Sequence, residues 1–321
     1  MQELSLVEIE SITDQAVALG TFWCLITGGE PLLRSDFKEL YLMLKKKGLL
    51  VSVFTNACLV SEEIVRLFQE FPPRDVEVTV YGVTRQTYEA VTRKPGSYAL
   101  FRRGLQRLLD GGVKVRLKAM ALRSNLHELP EITAFAEQHT ADYFRYDPQL
   151  HLRYDGDPVR NAEIRQERLS PQEVAALEAA DPKRLKQLRR MCDDAISMDE
   201  VPRQNASVFH CGAGMNSFSV RYDGMFRLCS NLNHPDFMVD LRQKPLSEAW
   251  QMVARRAHST TSQSLEFQTH CQTCQLANLC LWCPANAHLE TGRLDGWSAD
   301  FCQIAHQRLA VARQSPDQAC A

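Results

Sequence analysis

No stretch of this chain stays apolar for the roughly 18–20 residues that a membrane-spanning helix needs, and neither sign of charge dominates. Its 37 Lys and Arg against 39 Asp and Glu leave a net charge of −2. No basic field therefore draws it to nucleic acid or to an anionic lipid surface. Met1 leads straight into Gln2, Glu3 and an acidic amphipathic stretch, without the basic and apolar regions of a secretory signal. Low-complexity tracts and internal repeats at solenoid periods are also missing. What remains is an ordinary globular composition, 45% hydrophobic and 24% charged, which predicts a cytoplasmic protein with no nucleic-acid or membrane partner. A length of 321 residues suits about two domains.

Cysteine is in excess. There are 11, and in a reducing compartment they need an explanation other than disulfides. Seven lie between Cys211 and Cys302, and the odd total argues against simple pairing.

The N-terminal half alternates apolar runs with amphipathic stretches. Ser5 and Glu8 form a capping-box pair, and Ile9, Ile12, Ala16 and Leu19 recur at helical spacing until Gly20. A strand over 22–26 leads into Thr27-Gly28-Gly29-Glu30-Pro31. A helix from about residue 35 turns Phe37, Leu40 and Leu44 inward and stops at Gly48. Strand 49–54, helix 61–70, strand 76–81, helix 97–110, strand 113–122, helix 128–139 and strand 142–146 follow. Strict alternation implies parallel strands joined by right-handed crossovers. Strands this apolar are expected to be buried on both faces. Five strands beginning with a helix read as an α/β barrel without its first strand. Pro148, Gly156 and Pro158 break the pattern, and a capping box at Ser170–Glu173 opens a helical linker running to about Met191. The expected organisation is a partial barrel over 1–160, a linker over 161–204 and a small cysteine-rich domain over 205–321.

The cysteine spacing carries the chemistry. Cys211 is followed by twelve residues, Gly224, four residues and Cys229. Tyr222-Asp223-Gly224 is a hairpin signal, and a hairpin brings Cys211 and Cys229 to one place. Then come Cys271-x2-Cys274-x5-Cys280-x2-Cys283 and, eighteen residues later, Cys302. Iron–sulfur clusters are held by thiolates, commonly four to a cubane. Structural zinc also takes CxxC pairs, but zinc ribbons usually separate them by about 12–20 residues. Five is too tight, and the spacing favours iron–sulfur.

This pattern resembles the SPASM extension of radical S-adenosylmethionine enzymes: C-x(9–15)-G-x4-C, then C-x2-C-x5-C-x3-C, then a final C. The one departure is the last gap of the quartet, where Leu281 and Trp282 supply two residues rather than three. The resemblance implies two auxiliary [4Fe–4S] clusters, the first on Cys211, Cys229 and Cys283, the second on Cys271, Cys274, Cys280 and Cys302. The first then lacks a fourth cysteine. Either a residue such as Cys192 completes it, or one iron is open to substrate; Cys192 otherwise reads as a buried small hydrophobe. Cys24, Cys58 and Cys320 read as bystanders, and His210 and His270 are minor candidates because each precedes a ligand-type cysteine.

Thr27-Gly28-Gly29-Glu30-Pro31 is similar to the family motif that binds the methionyl amino group of S-adenosylmethionine. Two glycines let backbone approach a ligand closely, Glu30 offers negative charge to an ammonium, and barrel sites sit where this loop sits, at a strand's C-terminal end. Asn56, Thr79, Lys118 and Arg145, with Asp147, resemble cofactor-lining positions at the ends of later strands, though each could equally be a solvated strand terminus. The fold implied is a partial (β/α)6 radical-SAM-type barrel lacking its first strand, followed by a small SPASM domain.

The resemblance begins late. The family holds its catalytic cluster on C-x3-C-x2-C after the first strand, but here 27 residues precede Gly28 and Cys24 is the one cysteine among them. In the family that reduced cluster splits S-adenosylmethionine and releases a 5′-deoxyadenosyl radical that takes hydrogen from substrate. Without the triad this polypeptide is not expected to do so, and no catalytic residue is named. The expectation is that Met1 is not the native start. The full-length form would modify a peptide or protein, fed by a reductant such as a flavodoxin or ferredoxin. The alternatives are a non-catalytic iron–sulfur module for electron transfer or peptide binding, and a structural zinc protein.

Overall fold

The computed structural model describes residues 2–140, 145–197, 207–211 and 214–314; Cys320 lies outside them, and of Arg145 only the backbone is described. The chain divides into two compact units.

The first unit comprises Met1–Leu150 with Tyr222–Gly224 and Leu241–Ser247. It opens on α1 (Leu6–Ala18), whose capping box is formed as expected: Ser5 donates from N and Oγ to the Glu8 carboxylate and accepts from Glu8 N. The Ser5 backbone N–H, its hydroxyl and Arg242 together hold the Glu8 carboxyl down to about 2. Five parallel strands follow in sequence order: β1 (Trp23–Ile26), β2 (Leu50–Thr55), β3 (Asp75–Thr79), β4 (Val115–Met120) and β5 (Arg145–Asp147). The connecting helices are α2 (Phe37–Lys46), α3 (Glu62–Glu70), α4 (Arg85–Thr92), α5 (Ser97–Asp110) and α6 (Leu129–His139). Sequential parallel pairing joined by helices is the expected α/β class.

Two expectations need correction. Between β3 and β4 there are two helices, not one, because Thr84 caps α4 by accepting from Thr87 N. β3 and most of β2 are buried on both faces as expected, but the second face is polar rather than apolar. Val51, Val53, Val76, Val78 and Ala119 are buried on one face. The residues alternating with them, Ser52, Phe54, Asp75, Glu77, Arg116 and Lys118, line a cavity of about 610 Å³ with Trp23. Charge is tolerated there because it is paired across neighbouring strands: Lys118 Nζ lies 2.7 Å from Glu77 Oε1 and 4.0 Å from the centre of the Phe54 ring, and Arg116 lies 3.7 Å from Asp75. At the sheet edge, Trp23 is 45% exposed.

The second unit comprises His151–Arg221, Met225–Asp240 and Glu248–Ala321. In place of one helical linker it has α7 (Pro158–Glu167), α8 (Pro171–Ala180) and α9 (Pro182–Ser197). Asp157 caps α7, and Ser170 and Glu173 form the expected capping box of α8. A three-stranded antiparallel sheet, β6 (Ser219–Val220), β7 (Met225–Arg227) and β8 (Met238–Asp240), contains the expected hairpin, which turns at Gly224 with φ +88°. The remaining helices are α10 (Leu246–Ser259), α11 (Leu265–His270), α12 (Pro284–Thr291) and α13 (Ala299–Arg313). Leu188, Cys192, Leu279, Ala305 and Ala312 form one of the apolar clusters of this unit.

Candidate functional site

In the first unit the loops after the sheet's C-terminal strand ends are fastened by three polar side chains, the half-buried Glu30 and the buried Asn125 and Glu128. Glu30 Oε1 accepts from Leu32 N at 3.2 Å and Thr55 Oγ1 at 2.7 Å, and its Oε2 accepts from Asn56 N at 2.8 Å. This carboxylate ties the glycine loop after β1 to the end of β2. Asn56 in turn accepts from Cys58 N through Oδ1. Asn125 donates to the carbonyls of Tyr81 and Met120 and accepts from Leu122 N, which fastens the ends of β3 and β4. Glu128 accepts from Val83 N, from Thr84 N and Oγ1, and from Thr87 Oγ1. Gly28, at φ +146°, adopts a backbone that favours glycine.

The structure therefore brings together Thr27, Gly28, Gly29, Glu30 and Pro31 after β1, Asn56 after β2 and Thr79 at the end of β3. Thr79 is in register with Lys118, and Lys118 with Arg145. The Lys118 ammonium turns instead into the charged cavity beside Glu77. Cys58 sits close to this loop cluster: burial pushes its thiol up, and Glu30 and Tyr88 are among the groups acting on it. Cys24 lies within β1, and burial pushes its thiol up to about 11.

In the second unit, six of the seven patterned cysteines surround one cavity of about 210 Å³: Cys211, Cys271, Cys274, Cys280, Cys283 and Cys302. Local structure explains how they arrive there. The Asp295 carboxylate accepts from Ser262 Oγ, Gln263 N and Ser264 N, which fixes the start of α11. Ser264 caps this helix, and Cys271 ends it. Cys283 is itself the N-cap of α12, its Sγ accepting from Asn286 N at 3.3 Å. Cys302 lies on the first turn of α13. Cys229, just after β7, accepts from Asn231 N through Sγ at 3.4 Å, and Cys280 accepts likewise from Trp282 N. Backbone N–H groups aimed at sulfur favour thiolate and tune a bound cluster.

Electrostatics sorts these thiols into two groups. Burial pushes the Cys283 thiol up, the Asn286 N–H opposes that, and charge on Cys229 and Cys211 adds to it. Burial likewise raises Cys280, opposed by Trp282 N–H and Arg308, with Cys274 and Cys302 adding to the rise. Cys283 thus feels Cys229 and Cys211, and Cys280 feels Cys274 and Cys302. Cys192 lies in a cluster against which Cys280 packs. It is fully buried in the apolar cluster with Leu188, Leu279, Ala305 and Ala312. His210, His270 and His306 also line the cavity, with the His270 ring tilted against that of Trp297 at 5.2 Å between centroids. None of the ten described cysteines forms a disulfide. Among the described residues no group of three His, Cys, Asp or Glu side chains is gathered tightly enough to hold a single metal ion.

Residues 1–136 match the model of the Radical SAM superfamily. Over this stretch the chain is similar to radical SAM proteins. It is 25% identical over 271 residues to the Fe-coproporphyrin III synthase of Methanosarcina barkeri, covering 77% of this chain and 66% of that protein. It is 21% identical over 290 residues to the subtilosin biosynthesis protein AlbA of Bacillus subtilis, covering 86% of this chain and 61% of AlbA. The chain thus spans about two thirds or less of these relatives' lengths. The solved structure of SuiB from Streptococcus suis bound to its precursor peptide SuiA has a TM-score of 0.64 at 14% identity, covering 94% of this chain and 70% of that chain. The fold of this chain is therefore similar to that of SuiB, and no helix among its described residues is long and apolar enough to cross a membrane.

Proposed function

We propose that this protein is a radical-SAM-type protein that carries two auxiliary [4Fe–4S] clusters in its second unit and modifies a peptide substrate. The observation that carries the reading is the gathering of six of the seven patterned cysteines around a single cavity of about 210 Å³. A zinc ion bonds sulfur at about 2.3 Å and needs all its donors gathered at one point. Thiols spread around a cavity suit a cluster, whose irons reach outward to them. Cys211, Cys229 and Cys283 would hold the first cluster, and Cys271, Cys274, Cys280 and Cys302 the second. The first would keep one iron without a cysteine, since Cys192 lies in the apolar cluster against which Cys280, of the second set, packs.

The loop of Thr27, Gly28, Gly29, Glu30 and Pro31 is proposed to receive the methionyl end of S-adenosylmethionine through backbone groups at the two glycines. Glu30 would hold the loop in shape through Leu32, Thr55 and Asn56. Bound to a reduced cluster, S-adenosylmethionine supplies this family with a hydrogen-abstracting radical. The residues of this chain contribute binding, orientation and the auxiliary sites, and a flavodoxin- or ferredoxin-type protein is the proposed reductant.

Anaerobic reconstitution with iron and sulfide should give brown protein with about eight iron and about eight sulfide per chain. Colourless protein with stoichiometric zinc and no labile sulfide would refute the cluster reading. The likeness to Fe-coproporphyrin III synthase over 77% of this chain supports a second reading, in which the substrate is a tetrapyrrole. Titration with coproporphyrin separates the two: a saturable shift of the porphyrin absorption band favours the tetrapyrrole, and no shift favours the peptide.

A further inference from the structure

Behind Cys280 lies a buried ion pair that neither unit needs for its secondary structure. Arg308, on α13 six residues beyond Cys302, is 6% exposed, and Glu178, on α8, is 5% exposed. The guanidinium and carboxylate meet as a fork: Nε donates to Oε2 at 2.7 Å and Nη2 to Oε1 at 2.8 Å. The third arm, Nη1, donates to the carbonyl of Leu279 at 2.6 Å. Leu279 ends the short 3-10 turn Ala277–Leu279 and immediately precedes Cys280. Arg184 approaches the same carboxylate at 3.8 Å and lies 3.9 Å from Asp181. Replacing a buried ion pair by apolar residues of similar volume is often neutral or stabilising, so stability alone is a weak reason for this one. Its position gives a better reason. Arg308 grips the peptide that presents one cluster ligand from the helix that carries another, and Glu178 holds Arg308 from the far side.

We propose that Arg308 and Glu178 set the reduction potential of the second auxiliary cluster, with Arg308 as the positioning and charge-compensating residue and Glu178 as its counterweight. The inference rests on the cluster reading above. Reduction adds one negative charge to a cluster, and net charge nearby is one of the determinants of its potential. A cation held in a low-dielectric interior next to the ligand stabilises the reduced form; an anion destabilises it. The pair should therefore act with opposite signs when its members are neutralised one at a time, which a merely structural clamp would not do.

The test is a dithionite titration of the anaerobically reconstituted full chain, followed by electron paramagnetic resonance of each cluster. Arg308→Gln should shift the second cluster's midpoint to more negative potential, and Glu178→Gln should shift it to more positive potential. Arg308→Lys, which keeps the charge, should stay near wild type. The first cluster should hold its potential in all three. Loaded Arg308→Gln and Glu178→Gln proteins with wild-type midpoints, or with shifts of the same sign, would overturn the proposal. If Arg308→Gln fails to assemble, the sign of the shift in the near-isosteric Glu178→Gln decides. A wild-type chain that assembles no second cluster would instead refute the cluster reading on which the proposal stands.

Discussion

Glu128 gathers four hydrogen bonds from Val83, Thr84 and Thr87 while only 8% exposed. Burial by itself would raise its carboxyl. The hydroxyl donors of Thr84 and Thr87 and the N–H groups of Val83 and Thr84 outweigh that and hold it below the ordinary carboxylate value. Since the folded state holds the lower value, the stabilisation is complete above the unfolded value of about 4.5 and is lost as pH falls below it. Glu128→Gln should cost about 1–3 kcal/mol in a urea melt at pH 7. Its stability should also fall less steeply than wild type between about pH 5 and pH 3; equal slopes would show that Glu128 carries no such linkage. Gly104 is constrained differently: a Cβ there would meet the carbonyl oxygen of Ala57 at 1.8 Å, in the turn after β2. Gly104→Ala should destabilise by about 1–3 kcal/mol or more, and a stability equal to wild type would contradict the close approach. Cys192→Ala should leave iron and sulfide unchanged after reconstitution, whereas loss of a cluster's worth of iron would make Cys192 a ligand.

At the scale of elements, α11, α12 and α13 each deliver a cysteine at a defined end or first turn, and the Asp295 carboxylate fixes where α11 begins. Asp295→Ala should lower occupancy of the second cluster, through Cys271 and Cys274, and spare the first; spin counts per cluster would show it, and equal losses from both would count against it. The capping boxes at Ser5 and Ser170 and the Gly224 hairpin were legible because each is a local pattern with a local physical cause. Helix α4 spans only Arg85–Thr92, about two turns, so its apolar spacing has no room to repeat and Thr84 is its local mark. The charged face of β2 to β4 was legible in principle: Asp75-Val76-Glu77-Val78 and Arg116-Leu117-Lys118-Ala119 alternate with period two, and reading them as continuous apolar strands hid it. Glu30, Asn125 and Glu128, and the pair of Arg308 with Glu178, join residues far apart in sequence. No single-sequence pattern pairs them; only the fold does.

For the whole molecule, the parallel α/β class was contained in strand–helix alternation, which sequence records directly, whereas the grouping of the cysteines is what the family resemblance implies. The central claim is that one set of three thiolates and another of four each hold a separate cubane. The most direct test is iron counted per chain, with Mössbauer spectra, after anaerobic reconstitution of wild type, Cys283→Ala and Cys274→Ala. About eight irons in wild type, with each variant losing a different half of the spectrum, is the expected result. Wild-type protein that holds a single zinc, or variants that lose the same spectral component, would contradict it.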